Sequence, residues 1–223
     1  MDLKTPARSI IPALDADVLV ALAGITMPLT GRQIARLVET ASYGGVNKVL
    51  ERLRAQGVVD VVEAGRANLY SLNREHVTAP AVEALSDLRG KLFARMSDQV
   101  KRWEILPVSV AVFGSAARGD GGVGSDIDIL IVRPENLVPN RTDDPRDTHD
   151  LGEDTYADIW SSQLFELSRM TRRWSGNQAS LIQATKMQLV AMVKRQEPVA
   201  DSIRSDAIYI WGPNAMKFIE DLV

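Results

Sequence analysis

The chain has 223 residues, with 26 Lys and Arg against 29 Asp and Glu, a formal net charge of −3 and no cysteine. The length suits one large domain or two small ones, and the near-neutral, slightly acidic balance argues against a general polyanion binder. Disulfides and thiolate metal sites are excluded, which fits a reducing cytosol.

Met1 to about Ile11 reads as a loosely tied terminus, and Asp15 to Ala23 as a first helix. The apolar stretch Val18 to Leu29 is interrupted by Gly24 and Pro28, too short and wrongly flanked for a signal peptide or a membrane span. Thr30-x-x-Gln33 is a capping-box pattern that opens a short second helix. Ser42-Tyr43-Gly44-Gly45 turns into a third, where Val46, Val49, Leu50 and Leu53 form one buried face and Gly57 stands at C′. Val58 to Val62 and Ala67 to Leu72 predict two strands joined by a turn near Ala64-Gly65-Arg66. Thr78, as N-cap, then starts a long helix with Pro80 in its first turn. Its apolar stripe runs through Val82, Leu85, Leu88, Leu92, Met96, Val100 and Trp103, and Pro107 marks its exit.

The most informative stretch follows. Val108 to Phe113 predicts a buried strand that ends in Gly114-Ser115, and a polar, glycine-rich segment leads to a second strand with Asp126 and Asp128 at its start. Residues two apart in a strand point to the same face, so the two carboxylates project together. Paired carboxylates repel, and a divalent cation between them removes that cost. Hard oxygen ligands of this kind suit Mg²⁺, which also takes substrate phosphates as ligands. Gly114 allows close backbone approach to a ligand, Ser115 offers N–H and hydroxyl, and Arg118 adds a fixed positive charge.

Beyond Val132, Arg133-Pro134 to about Gly152 reads as a long loop near this site, with an acidic run of Asp143, Asp144, Asp147, Asp150, Glu153 and Asp154. His149 reads as a solvated loop residue, and His76 has no evident partner. Asp158 to Trp174 is a helix, Ala179 to Ala184 a third strand, and Thr185-x-x-Gln188 a second capping box opening a helix through Val193. Pro198 to Ser205, Ile208 to Trp211 and Asn214 to Val223 read as a short helix, a short strand and a terminal helix.

The segment F-G-S-A-A-R-G-D followed by S-D-I-D-I-L, between two apolar strands, resembles the signature of the DNA polymerase β-like nucleotidyltransferase superfamily, in its small bacterial and archaeal members. The resemblance implies that Gly114 and Ser115, with Arg118 and Ser125 beside them, hold a nucleoside triphosphate. It implies that Asp126 and Asp128 are the catalytic acids and hold Mg²⁺ or Mn²⁺. It also extends to toxin–antitoxin nucleotidyltransferases, which implies a regulatory setting. Upstream, three helices followed by a hairpin, roughly Asp15 to Arg74, resemble a winged helix-turn-helix domain. That resemblance implies double-stranded DNA as a partner, contacted by Tyr43, Asn47, Lys48 and Arg52 of the third helix and Arg66 at the wing tip. A homodimer is expected if such a domain reads a palindrome. Met1 to Thr78 carries nine Lys and Arg against eight Asp and Glu, only +1, so a dimerisation or substrate-presenting role stays open. The expected fold is thus α+β: a winged helix-turn-helix over residues 1–77, a connecting helix over 78–106, and over 107–223 a nucleotidyltransferase domain with a small mixed sheet and flanking helices.

One departure stands out. The superfamily usually carries a third carboxylate on the third strand, and the glycine-to-strand spacing puts Ser180 at that place. A serine is a poor Mg²⁺ ligand and no general base at neutral pH without help. The acid comes from elsewhere, with Asp158 or Asp154 as donors, or two acids suffice, or the domain binds nucleotide without transferring it. Two functions therefore stay open. One is a nucleotidyltransferase acting on a small-molecule, protein or RNA hydroxyl. The other is a DNA-binding regulator whose nucleotidyltransferase-like domain senses a nucleotide.

Overall fold

A computed structural model describes residues 1–38, 41–137 and 152–217. The chain divides into two compact units: Lys4–Arg89 with Asp2, and Gly90–Val223 with Met1 and Leu3.

The N-terminal unit opens with a 3-10 turn, Pro6–Ser9, in which Ala7 is buried and Arg8 pairs with Asp17. The first eleven residues are therefore not loosely tied as expected. α1 (Leu14–Ala23) precedes a two-residue strand, β1 (Leu29–Thr30), which the sequence reading missed. In α2 (Gly31–Val38) the capping box forms: the Gln33 N–H donates to Thr30 Oγ1 at 3.3 Å and the Thr30 N–H to Gln33 Oε1 at 2.8 Å. α3 (Tyr43–Ala55) starts on Ser42, whose hydroxyl accepts from the Gly45 N–H, and Gly57 follows its end at φ +74°. β2 (Val59–Ala64) and β3 (Ala67–Leu72) form an antiparallel hairpin, and β1 pairs with the other edge of β3. The apolar faces of α1, α2 and α3 meet β2 and β3 in one core containing Val18, Leu22, Ile34, Leu50 and Tyr70, closed by Val82 of α4 (Ala79–Ser86). Thr78 does not cap α4 with its side chain; its hydroxyl meets His76 Nδ1 at 2.7 Å.

The predicted long helix is broken. α5 (Leu88–Val100) begins after Asp87, which sits at φ −115°, ψ 28°. The apolar stripe survives the break because Leu92, Met96 and Val100 keep helical spacing within α5.

In the C-terminal unit, β4 (Ser109–Phe113), the short helix α6 (Gly114–Arg118) and β5 (Ile127–Val132) follow in order. α7 (Gly152–Ser175) starts six residues before the expected Asp158; acidic residues in a first turn favour that extension. β6 (Ala179–Ala184), α8 (Lys186–Lys194), α9 (Pro198–Asp206) and β7 (Ile208–Trp211) complete the unit. The capping box at Thr185 and Gln188 is formed. Of the expected terminal helix, Asn214 to Val223, residues 214–217 are described and 214–216 are not helical; the rest lies outside the described residues, as do the stretch with His149 and most of the acidic run.

The sheet is mixed, in the order β6-β5-β4-β7, with β4 antiparallel to both neighbours and β5 parallel to β6. Alternation along β5 divides its side chains. Ile127, Ile129 and Ile131 join α5, α7 and Leu3 in one core. Leu130 and Val132 face the other way, into a core with Leu189 of α8 and Ile203 of α9. Asp128 shares this second face. Beyond β7, Gly212 has φ +67°, and a Cβ there would stand 2.2 Å from the Val108 carbonyl oxygen. Gly212→Ala should therefore cost about 2–4 kcal/mol. A denaturant melt followed by tryptophan fluorescence reads this unit directly, because all four tryptophans (Trp103, Trp160, Trp174, Trp211) lie in it.

Candidate active site

The site begins where β4 ends. Phe113 lies opposite Asp128 in the antiparallel register, so the next residue, Gly114, turns beside the Asp128 carboxylate. Gly114 has φ +66°, and a Cβ built on it would lie 2.7 Å from Asp128 Oδ2. Only glycine satisfies both constraints. After α6 the chain folds back on Ser115: its carbonyl accepts from the N–H groups of Gly119, Asp120 and Gly121 at 2.9, 3.1 and 3.2 Å. Gly119 makes this reversal in the left-handed region, at φ +78°. Leu3, 1% exposed, packs in this unit's core and donates its N–H to the Gly121 carbonyl at 2.8 Å.

The loop that delivers the acid pair is pinned from both sides. Ser125 Oγ accepts from the Gly122 N–H at 3.0 Å, and the Ser125 carbonyl accepts from Asn177 Nδ2 at 2.9 Å. The Ile127 N–H donates to the Gln178 carbonyl at 2.8 Å. Asp126 is exposed and Asp128 half-buried. Burial pushes the Asp128 carboxyl above the usual carboxylate range, and the neighbouring Asp126 pushes it the same way. A hydrogen bond from Ser180 and the charge of Arg118 oppose that rise. Ser180 is the direct partner of Asp128 in the parallel β5–β6 register, which is where a third carboxylate was expected.

Arg118 is less free than its sequence position implies. It bonds Asp120 at 3.0 Å and pairs with Asp206 at the end of α9. Asp206 is held below the usual range by the Ser205 hydroxyl and by Arg118. Neither Asp206 nor Asn177 was singled out from the sequence, since no spacing rule ties either to the motif.

An exposed carboxylate and a half-buried one, the latter raised by burial and by its neighbour's charge, make a hard-oxygen donor set that fits Mg²⁺, whose remaining ligands would be phosphate oxygens and water. Among the described residues no three His, Cys, Asp or Glu side chains gather into a metal-holding group, so Asp158 does not join Asp126 and Asp128. The side chain of Asp154 lies outside the described residues.

The candidates in the N-terminal unit are split. Tyr43, Asn47 and Arg66 line one cleft. Lys48 is exposed, while the Arg52 guanidinium is paired with Asp15 of α1.

Residues 94–173 match the family model of the nucleotidyltransferase domain. The match takes in β4, α6 and β5 with Gly114, Ser115, Asp126 and Asp128, and stops short of β6 and Ser180. It supports a domain of the nucleotidyltransferase superfamily and suggests a transferase that moves a nucleoside monophosphate from a nucleoside triphosphate. No curated protein and no solved structure matches the chain. Among the described residues no helix is long and apolar enough to cross a membrane.

Proposed function

We propose that the nucleotidyltransferase domain transfers a nucleoside monophosphate to an acceptor hydroxyl of a small molecule, a protein or an RNA, with Asp126 and Asp128 holding Mg²⁺ or Mn²⁺. The observation that supports the proposal is the fit of Gly114 against Asp128: a Cβ on Gly114 would stand 2.7 Å from Asp128 Oδ2, so the Gly114 backbone and the Asp128 carboxylate lie side by side. An ion held by Asp126 and Asp128 would neutralise charge on the acids and the triphosphate and supply Lewis-acid polarisation of the α-phosphoryl group. Gly114 leaves the head of α6 open to the phosphates, and Ser115 offers them a hydroxyl and an N–H. Arg118, oriented by Asp120 and Asp206, adds positive potential near Asp128. Ser125 keeps the acid-bearing loop in place. The acceptor oxygen bonds to the α-phosphorus, the bond from that phosphorus to the bridging oxygen breaks, pyrophosphate leaves, and the hydroxyl proton passes to water.

Ser180 beside Asp128 favours a second reading, a domain that binds and senses a nucleotide without transferring it. The three helices and hairpin of the N-terminal unit support the winged-helix reading, which brings a nucleic-acid partner and a regulatory setting to either function. Label transfer from each of the four α-³²P nucleoside triphosphates, with Mg²⁺ or Mn²⁺ and a cell lysate supplying acceptors, separates the two. Transfer that disappears in the Asp126→Ala/Asp128→Ala variant is expected. Nucleotide binding without label on any acceptor would make the domain a sensor.

A further inference from the structure

A cleft of about 590 Å³ opens in the N-terminal unit between α3 and the β2–β3 hairpin. Tyr43, Asn47 and Glu51 reach it from successive turns of α3, Tyr70 from β3, Arg32 from the first turn of α2, and Arg66 from the hairpin turn. Gly31 gives the Tyr43 ring its place, since a Cβ there would come within 3.2 Å of Tyr43 Cε2. The Arg32 guanidinium stands 5.7 Å from the centre of the same ring. Tyr70 is buried, and its hydroxyl donates to Glu51 Oε1 at 2.8 Å; Arg54 approaches the other carboxylate oxygen at 3.5 Å. The carboxylate is thereby oriented. Among the described residues Arg32 and Arg66 have no acidic partner.

We propose that this cleft binds a single unpaired nucleotide, its base stacked on Tyr43, the base's amino group directed to Glu51, and its phosphate between Arg32 and Arg66. The volume falls within the range of small-molecule sites, about 300–1,000 Å³. Unpaired bases are read in this way, by aromatic stacking and by hydrogen bonds to their exposed edges. The winged-helix resemblance implies a duplex at Tyr43, Asn47 and Arg66, but the Glu51 carboxylate lining the cleft repels a phosphate backbone. It accepts readily from the exocyclic amino group of cytosine, adenine or guanine. Uracil lacks that group and is the base expected to bind worst. The nucleotide has two sources, a free nucleoside monophosphate or one residue of a single-stranded polynucleotide. The proposal is independent of the transferase reading and survives if no label is transferred.

The test is fluorescence polarisation of the full chain with a fluorescein-labelled single-stranded decamer, as RNA and as DNA, in EDTA. Competitors are AMP, CMP, GMP, UMP and the same decamer annealed into a duplex. Expected are weakening of about tenfold in Tyr43→Ala and in Arg66→Ala, retention in Tyr43→Phe, and unchanged binding in Asp126→Ala/Asp128→Ala. UMP should compete worst of the four, and Glu51→Gln should narrow its disadvantage. Competition by monophosphates at the decamer's own concentration assigns the free nucleotide, and competition by oligomers alone assigns the polynucleotide; either supports the site. Tighter binding of the duplex, no binding of any probe, or binding indifferent to Tyr43→Ala would overturn it. Tyr43 and Arg66 are exposed, so their replacement leaves the core of the unit intact.

Discussion

Asp128→Asn is expected to abolish nucleotide transfer and, in the absence of metal, to raise the melting temperature at neutral pH. Asp128 is half-buried, and burial together with the adjacent Asp126 charge makes its ionised form unfavourable in the folded chain. A carboxyl whose folded-state pKa is raised binds its proton longer in the native state than in the unfolded one. Stability therefore falls as pH rises from the ordinary 3.8 through the raised folded value, and it stays reduced above. The neutral amide still accepts the Ser180 hydrogen bond but carries no charge to desolvate. Because the carboxylate is only partly buried and solvent screens it, a gain at the low end of the range for stabilising substitutions, about 0.5 kcal/mol, is expected at pH 7. The gap between the two proteins should close as the pH is lowered toward 3.8. Mg²⁺ should stabilise the wild-type chain and leave the variant unmoved. Activity should fall about 10³-fold or more, since the amide neither balances the ion's charge nor competes for it. Calorimetry with and without Mg²⁺ across pH, beside the label-transfer assay, reads all of this. A variant that melts lower than wild type at pH 7 would overturn the stability prediction, and one that still responds to Mg²⁺ would overturn the proposed role of Asp128 in holding the ion.

Gly114→Ala should lose at least about 100-fold in kcat/KM while costing only about 1–2 kcal/mol of stability. The methyl group would stand 2.7 Å from Asp128 Oδ2, at a backbone φ of +66° that alanine tolerates poorly. Either the carboxylate swings away or the head of α6 retreats, and both movements separate the proposed phosphate donors from the proposed metal ligand. Thermal melts measured with kinetics distinguish this from simple unfolding. Full activity in a folded Gly114→Ala protein would show that the close approach is not used in the reaction.

The C-terminal unit was legible because β4 and β5 are largely buried apolar runs that end in polar punctuation. Val108 to Val132 announced β4, the turn and β5, and the glycine spacing placed Ser180 where the parallel register puts it, beside Asp128. Capping boxes marked the starts of α2 and α8 because that signal is local and stereochemical. What escaped was non-local or very short. The Arg118–Asp206 and Arg52–Asp15 pairs join residues on different elements, with no pattern to predict them, and each occupies a cation that looked free. A two-residue β1 carries no periodicity. The break at Asp87 is a backbone event that leaves the apolar stripe of α5 intact. The terminus is anchored by the buried Leu3 and Ala7 and by the Arg8–Asp17 pair, which form no periodic pattern.

The sheet order has a consequence for how the acid pair comes into being. β4 and β5 are neighbours in sequence and pair antiparallel, so Gly114 and Asp128 can meet in an early local hairpin. β6 is parallel to β5 and reaches it only after the chain has traversed α7, a distant contact that closes late. The reluctance of Asp128 to ionise comes with burial and against the opposing Ser180 hydrogen bond, so a proton-uptake signal in stopped-flow refolding should track the burial of this carboxylate.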